Sequence, residues 1–138
     1  MAESFRALGA GAKTGMLTGA ESTRAVCEAW ARIRSDSDNL VWAVFTVVGK
    51  DYVLVSEGTD DLEGFSKALT EDGVFFGGLR VSNKFFRVLY VGTEVGVIKK
   101  NKAMLQKTAP FNAMEGSIEI HLPTGEKHSL INLIRPHL

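Results

Sequence analysis

The amino-acid sequence predicts an α+β fold in three layers, in which a central mixed sheet is packed between helices. Two observations favour this class. Segments rich in β-branched and aromatic residues alternate with segments of helical periodicity, in the order helix, hairpin, helix, hairpin, helix, strand, helix. The chain of 138 residues is 45% hydrophobic and 23% charged, which suits one domain with a core of its own.

The first predicted helix lies within "ESTRAVCEAWARIRSDSD", residues 21–38. Val26, Trp30 and Ile33 recur at the i, i+4, i+7 spacing of a single helix face. Arginines and acids occupy the opposite side. This pattern predicts that the three large side chains lie against the sheet.

Five segments have the composition of strands. Four of them form two predicted hairpins with two-residue turns, 39–48 with 51–58 across Gly49-Lys50 and 73–81 with 84–92 across Ser82-Asn83. The fifth is "SIEIHL", residues 117–122, which alternates between apolar and polar residues. Because each hairpin is antiparallel and a long connection precedes the fifth strand, we expect a mixed sheet.

Two shorter helices complete the predicted order. The segment "DLEGFSKALT" places Leu62, Phe65 and Leu69 on one side and carries acids at its start, where the positive end of the helix dipole favours them. The segment "SLINLI" predicts a terminal helix. Both would lie against the sheet.

The segment between the fourth and fifth strands predicts an amphipathic helix over 97–108. At about 100° per residue, one sector holds Val97, Ile98, Met104, Leu105 and Thr108. The opposite sector holds Lys99, Lys100, Lys102, Gln106 and Lys107. We therefore expect the first sector to cover the sheet and the lysines to face outward, where they would form a rigid basic platform.

The balance of charge and the single cysteine exclude several classes of protein. The chain carries 16 basic and 16 acidic residues, and this zero net charge argues against general nucleic-acid binding. No apolar run reaches the roughly 18 residues of a membrane span, and the N-terminus lacks the apolar core of a secretory signal. Cys27 cannot form an intrachain disulfide and is expected to be a small buried side chain. We expect a soluble cytoplasmic protein with no nucleic-acid or membrane partner.

The charge is unevenly distributed along the chain. Residues 51–72 carry seven acids and one base, whereas residues 84–107 carry six bases and one acid. Such a dipolar molecule can be steered toward an acidic partner while it remains neutral overall.

The glycine-rich stretch "LGAGAKTGM", residues 8–16, does not have the pattern of a phosphate-binding loop. That loop requires glycines at the positions that Ala7 and Ala12 occupy, and it must follow a buried strand. We interpret residues 1–20 as a flexible Gly/Ala-rich lead-in, dispensable for folding, and residues 21–138 as the single domain.

The sequence shows no arrangement of residues that performs a reaction. The three histidines, at 121, 128 and 137, lack the spacing of a zinc site. Asp60 and Asp61 are read as partners of a helix dipole, and Cys27 as an inert thiol. We therefore expect a binding protein that is not an enzyme and has no cofactor or metal.

Two stretches carry a family resemblance. The segment "LVWAVF" and the segment "YVGTEVGVIKKNKA", residues 90–103, resemble the first strand and the long-helix motif of coactosin-like proteins, within the actin-depolymerising factor homology (ADF/cofilin) family. Gly92, Glu94, Val95, Lys100 and Lys102 fall on that motif. The order of elements agrees from about residue 22 to residue 134.

The resemblance implies a five- to six-stranded mixed sheet between helices and a monomeric protein of the actin cytoskeleton. It implies binding to the sides of actin filaments, in preference to actin monomers, through the long helix. Lys102 takes the place of the family's helix lysine, and Lys84 that of the lysine before the fourth strand. With the other lysines of the helix, the candidate actin-binding residues are Lys84, Lys99, Lys100, Lys102 and Lys107.

The chain departs from the family pattern in several places, among them Ser82-Asn83-Lys84 where the family has the basic R-S-K, and two alternatives stay open. The second hairpin is shorter than in the family, and Pro110 is expected to end the long helix early or to begin a separate turn. One alternative is a regulator of the same fold that resembles glia maturation factor and binds the actin-branching complex. The other is a protein that binds nucleotides or phosphoanions through "GAGAKT", residues 9–14, and the basic helix.

Overall fold

A computed structural model describes residues 22–60 and 62–138 of the chain. The predictions for residues 1–20, including the lead-in, and for Asp61 lie outside this described part. Its helices are α1 (Arg24–Arg34), α2 (Leu62–Ala68), α3 (Val97–Gln106), α4 (Thr108–Ala113) and α5 (Leu130–Ile134). Its strands are β1 (Trp42–Val48), β2 (Asp51–Gly58), β3 (Val74–Val81), β4 (Lys84–Val91) and β5 (Ile118–Leu122). Short 3₁₀ turns cover Lys127–Ser129 and Arg135–His137.

The five strands of the described residues form one sheet in the order β2-β1-β3-β4-β5. The pairs β1–β2, β1–β3 and β3–β4 are antiparallel, whereas β4 and β5 are parallel. The parallel pair requires a connection that crosses one face of the sheet, and α3 and α4 form it. The predicted mixed sheet and α+β class are confirmed.

Both predicted hairpin turns are present at the predicted residues. Gly49 has φ of +65°, and Ser82 and Asn83 have φ of +50° and +64°. Positive φ at the first central residue, or at both, is what two-residue turns need to match the twist of paired strands.

Helices cover both faces of the sheet, which confirms the three layers. On one face α1 and α4 cover a core cluster that includes Trp30, Phe45, Phe76 and Phe111. Helix α3 adds Ala103 to this cluster. On the other face α2 and α5 enclose a second cluster that includes Phe65.

Two adjacent glycines in the central strand let helices approach both faces closely. A Cβ at Gly77 would overlap the ring of Phe65 on one face, and a Cβ at Gly78 would lie 2.8 Å from the sulfur of Met114 and 3.0 Å from the indole of Trp30 on the other. Because side chains alternate along a strand, the pair serves both layers at once.

The periodicity of α1 is confirmed, but the prediction for Cys27 is wrong. Val26, Trp30 and Ile33 are buried against the sheet. Cys27 is exposed, because one residue after Val26 the helix has turned by about 100°. The thiol therefore lies on the solvent side of α1.

Candidate functional site

The segment that leads into α3 is held by hydrogen bonds to Glu71, which lies in the loop before β3. The Glu71 carboxylate accepts hydrogen bonds from the Tyr90 hydroxyl at 2.7 Å and the Thr93 backbone N–H at 3.0 Å. These bonds lower the pKa of Glu71 below its ordinary value, the Thr93 bond most. The N–H of Glu94 donates to the Glu71 carbonyl at 2.8 Å. Gly92 lies so close that a Cβ there would overlap the Glu71 backbone.

The end of α3 is held by a tyrosine of the edge strand β2. The hydroxyl of Tyr52 donates a 2.6 Å hydrogen bond to the backbone carbonyl of Gln106, the last residue of α3, where carbonyls lack the partners of the helix interior. Burial raises the pKa of the Tyr52 hydroxyl above its ordinary value. The hydroxyl therefore stays protonated and remains a donor at neutral pH.

Between these two ends, α3 faces the sheet with a side opposite to the one predicted. Ala103 is buried in the core, whereas Val97, Ile98 and Leu105 are 73%, 85% and 78% exposed. Met104 is exposed as well. The prediction that this apolar sector covers the sheet is wrong, and the prediction for Thr108, which is exposed at the start of α4, fails with it.

The inversion has a packing cause. The sheet face beneath α3 is already covered by large side chains of α1 and by Phe111 of α4, so α3 needs only the methyl group of Ala103 to reach the core. Ile98 and Leu105 are about 140° and 160° from Ala103 around the helix, and they point outward. We name the exposed apolar residues Val97, Ile98, Met104 and Leu105 the α3 outer face.

Three of the five candidate lysines flank the α3 outer face. Lys99, Lys100 and Lys102 are all exposed on α3. Lys99 and Lys102 lie on the side of α3 toward the β1–β2 hairpin, and Lys100 lies on the side toward β5. The structure thus combines an apolar stripe with positive charge on both of its borders.

Lys84 lies elsewhere. It is exposed at the first residue of β4, beside the β3–β4 turn. Lys84 and Val91 lie at opposite ends of β4, about 23 Å apart along the strand. The chain proceeds to α3 from the Val91 end. Lys84 is therefore not in one cluster with the lysines near the start of α3.

Lys107 departs from its predicted outward position. Its side chain is 21% exposed, and its Nζ lies 2.7 Å from Oε2 of Glu119 and 3.0 Å from Nε2 of His121. The hydrogen bond from Lys107, with a further one from His121, lowers the pKa of Glu119 to about 2. Lys107 is about 40° from Ala103 around the helix axis, so it points back to the sheet and ties the α3–α4 junction to β5.

Pro110 lies in the first turn of α4 and is buried there, so the long helix ends at Gln106 and a separate short helix follows.

Across residues 22–60 and 62–138, no group of three or more His, Cys, Asp or Glu side chains is arranged to hold a metal ion. None of the helices described is long and apolar enough to cross a membrane.

Comparison with known proteins defines the fold. No protein-family model matches the sequence, and a search of curated proteins likewise gives no match. Solved structures do match. Human coactosin-like protein superposes with a TM-score of 0.74 at 19% identity, covering 83% of this chain and 93% of that one. Coactosin from Entamoeba histolytica gives 0.69 at 21% identity, covering 80% and 91%.

Two further structures place these matches in a wider group. Mouse coactosin, described as an actin filament binding protein, gives a TM-score of 0.69 at 21% identity, covering 84% of this chain and 87% of that one. Cofilin from Streptomyces griseoflavus gives 0.71 at 14% identity, covering 81% and 94%. The chain therefore has the actin-depolymerising factor homology fold. Within that fold it is similar to the coactosin-like proteins, as the motif around residues 90–103 indicates.

Proposed function

We propose that this protein binds actin through the α3 outer face and the lysines that border it. It binds actin filaments in preference to actin monomers. It acts by binding alone, without catalysis or a cofactor, as a monomer in the cytoplasm. The observation that carries the proposal is the inverted helix: α3 presents Val97, Ile98 and Leu105 to solvent while both of its ends are held by the fold.

A large apolar patch with a polar rim is typical of protein-interaction sites, because monomeric proteins seldom leave such surface in contact with water. Here the rim is positive. Actin is acidic, so Lys99, Lys100 and Lys102 would complement its charge while Ile98 and Leu105 lose contact with water. A helix fixed at both ends also loses little conformational entropy when it binds.

The similarity of fold supports actin as the partner. Coactosins and a cofilin are among the structural neighbours, and mouse coactosin is described as an actin filament binding protein. The three lysines, with Val97 and Ile98, occur in the segment 90–103, whose motif resembles these proteins. The filament preference rests on that resemblance.

Co-sedimentation with actin filaments, beside native-gel binding to actin monomers, tests the proposal. The double variant Lys100→Ala with Lys102→Ala should bind filaments about tenfold more weakly, on the order of 1.4 kcal/mol, with an unchanged melting curve. Wild-type binding should also weaken as added salt shortens the Debye length below about 8 Å.

A matched control removes equal charge from the opposite layer. Lys67 on α2 and Arg135 at the C-terminal turn are exposed beside the second core cluster. The double variant Lys67→Ala with Arg135→Ala should bind as the wild type does. Lys84→Ala, far from the start of α3, should weaken binding less than the α3 double variant. Full binding by a folded α3 double variant, with no response to salt, would count against this surface.

A further inference from the structure

A groove lies between the β1–β2 hairpin and α3. Its volume is about 800 Å³. Val47 and Gly49 line it from the hairpin, and the residues that line it from the other side run from Gly96, just before α3, to Gln106 at the end of the helix. We name this feature the hairpin groove.

Both glycines that line the hairpin groove border open space. A Cβ added at Gly49 or at Gly96 would meet no atom within 4 Å. Gly96 also has an ordinary backbone conformation, with φ of −70° and ψ of 164°. The fold therefore tolerates a side chain at 96, next to the groove.

The chemistry of the groove combines apolar walls with a basic border. Val47 and Ile98 supply apolar surface, and Lys99 and Lys102 supply positive charge. In the part of the chain that the structure describes, no carboxylate is among the residues that line it. Ile98 belongs to the α3 outer face as well, so the groove continues that surface toward the hairpin.

We infer that the hairpin groove receives a bulky apolar side chain from an acidic segment of actin, so that hairpin and helix form one contact. This inference rests on the proposed function and adds the β1–β2 hairpin to the binding surface. Charge favours this occupant over the chain's own residues 1–21, whose two acidic and two basic side chains give no net negative charge to complement the lysines.

Filling the groove tests the inference. Gly96→Phe places a ring beside the space that Gly96 leaves open, and Gly96→Ala changes the same backbone position without filling it. Co-sedimentation with filaments should be at least tenfold weaker for Gly96→Phe and within twofold of wild type for Gly96→Ala. The two variants lack a side-chain helix cap to the same degree, so their melting temperatures should agree.

A second pair of variants uses charge and does not depend on the fate of the phenylalanine. Lys99 borders the hairpin groove, whereas its neighbour Lys100 lies on the other side of α3. Lys99→Glu should weaken filament binding several-fold more than Lys100→Glu, although both variants change the net charge equally.

The outcomes separate the two proposals. If Gly96→Phe binds as Gly96→Ala does, or if Lys99→Glu and Lys100→Glu weaken binding equally, the hairpin groove is not a contact. Loss of binding in the double variant Lys100→Ala with Lys102→Ala would then still support the α3 outer face. If wild-type protein binds neither filaments nor monomers, both proposals are wrong.

Discussion

Helices α1 and α3 have the same kind of sequence pattern and opposite outcomes. Each carries large apolar residues on one side and charged residues on the other. Helix α1 buries its apolar side, with Trp30 5% exposed, whereas α3 leaves Ile98 85% exposed and reaches the core with Ala103. Amphipathicity thus gives the direction of the apolar side relative to the helix, but not whether that side faces the core or a partner.

The largest expected effect separates the two apolar sides by stability. Trp30 packs edge-on against Phe85 and donates a hydrogen bond from its indole to the Glu115 carbonyl. Trp30→Ala should lower the free energy of unfolding by about 3 kcal/mol or more through the cavity it leaves. Leu105→Ala should change it by less than about 0.5 kcal/mol. Urea unfolding of both variants measures the difference, and similar losses would erase the contrast between α1 and α3.

The next effect appears in binding and leaves stability unchanged. Ile98→Ser with Leu105→Ser removes two exposed apolar side chains from the α3 outer face, and filament binding should fall at least tenfold, or by about 1.4 kcal/mol. Ile131→Ser with Leu138→Ser removes two exposed apolar side chains elsewhere, and this control should bind fully. Equal binding by the two double variants in co-sedimentation would mean that the exposed apolar side of α3 has no role.

A smaller effect concerns the ion pair that ties the end of α3 to β5. The folded-state pKa of Glu119 is about 2, below its ordinary value of 4.5, so its contribution to stability is present above pH 4.5 and is lost as the pH falls toward 2. Because a third of the side chain is exposed, solvent screening limits that contribution to about 1 kcal/mol. Glu119→Gln should lose this amount at pH 7.

The pH dependence provides the check on Glu119. Urea unfolding between pH 7 and pH 2.5 should show the free energies of wild type and Glu119→Gln converging as the acid side is approached. A difference that stays constant over this range would assign the effect to shape or hydrogen bonding instead of charge.

The predicted domain boundary yields a smaller effect still. Deletion of residues 1–20 should change the melting temperature by less than about 5 °C, roughly 1 kcal/mol for a domain of this size. The reason is that this segment carries four glycines and no apolar periodicity. A larger fall in the melting temperature, measured by differential scanning calorimetry, would mean that residues 1–20 contribute contacts to the core.

The smallest effect is expected at Cys27, on the solvent side of α1. Cys27→Ala should change the free energy of unfolding by less than about 0.5 kcal/mol and leave filament binding intact. In the folded wild type a thiol reagent such as dithionitrobenzoate should react with Cys27 at the rate of an exposed thiol, because the side chain is in contact with solvent. A slow reaction that becomes fast only on unfolding would mean that the Cys27 thiol is buried in the folded protein, as the sequence predicted.

Local signals in the sequence were sufficient for most of the fold. The turns at Gly49-Lys50 and Ser82-Asn83 contain Gly49 and Asn83, residue types that readily adopt positive φ, and the strands on either side are rich in β-branched and aromatic residues. The motif around Gly92 predicted where α3 begins. Its physical basis, the close approach of Gly92 to Glu71, joins residues about twenty positions apart and could not be read from spacing.

The candidate site was predicted only in part. Lys99, Lys100 and Lys102 are exposed as expected, but their apolar neighbours on the α3 outer face were assigned to the core. The local pattern pointed to the wrong side, because Lys99, Lys100 and Lys107 all lie within about 60° of the buried Ala103 around the helix. The burial of Ala103 is understood only once other residues are known to cover the sheet.

The sequence by itself determined the order of the elements, their turns, and the apolar and basic sides of α3, because each depends on conformational preferences within a few residues of chain. The tertiary structure determined three other outcomes. The apolar side of α3 faces solvent, Lys107 turns inward to Glu119, and Lys84 lies apart from the other lysines. These outcomes depend on how much of the sheet α1 and α4 already cover. Burial is a competition among all elements for the same surface, and no single segment encodes its result.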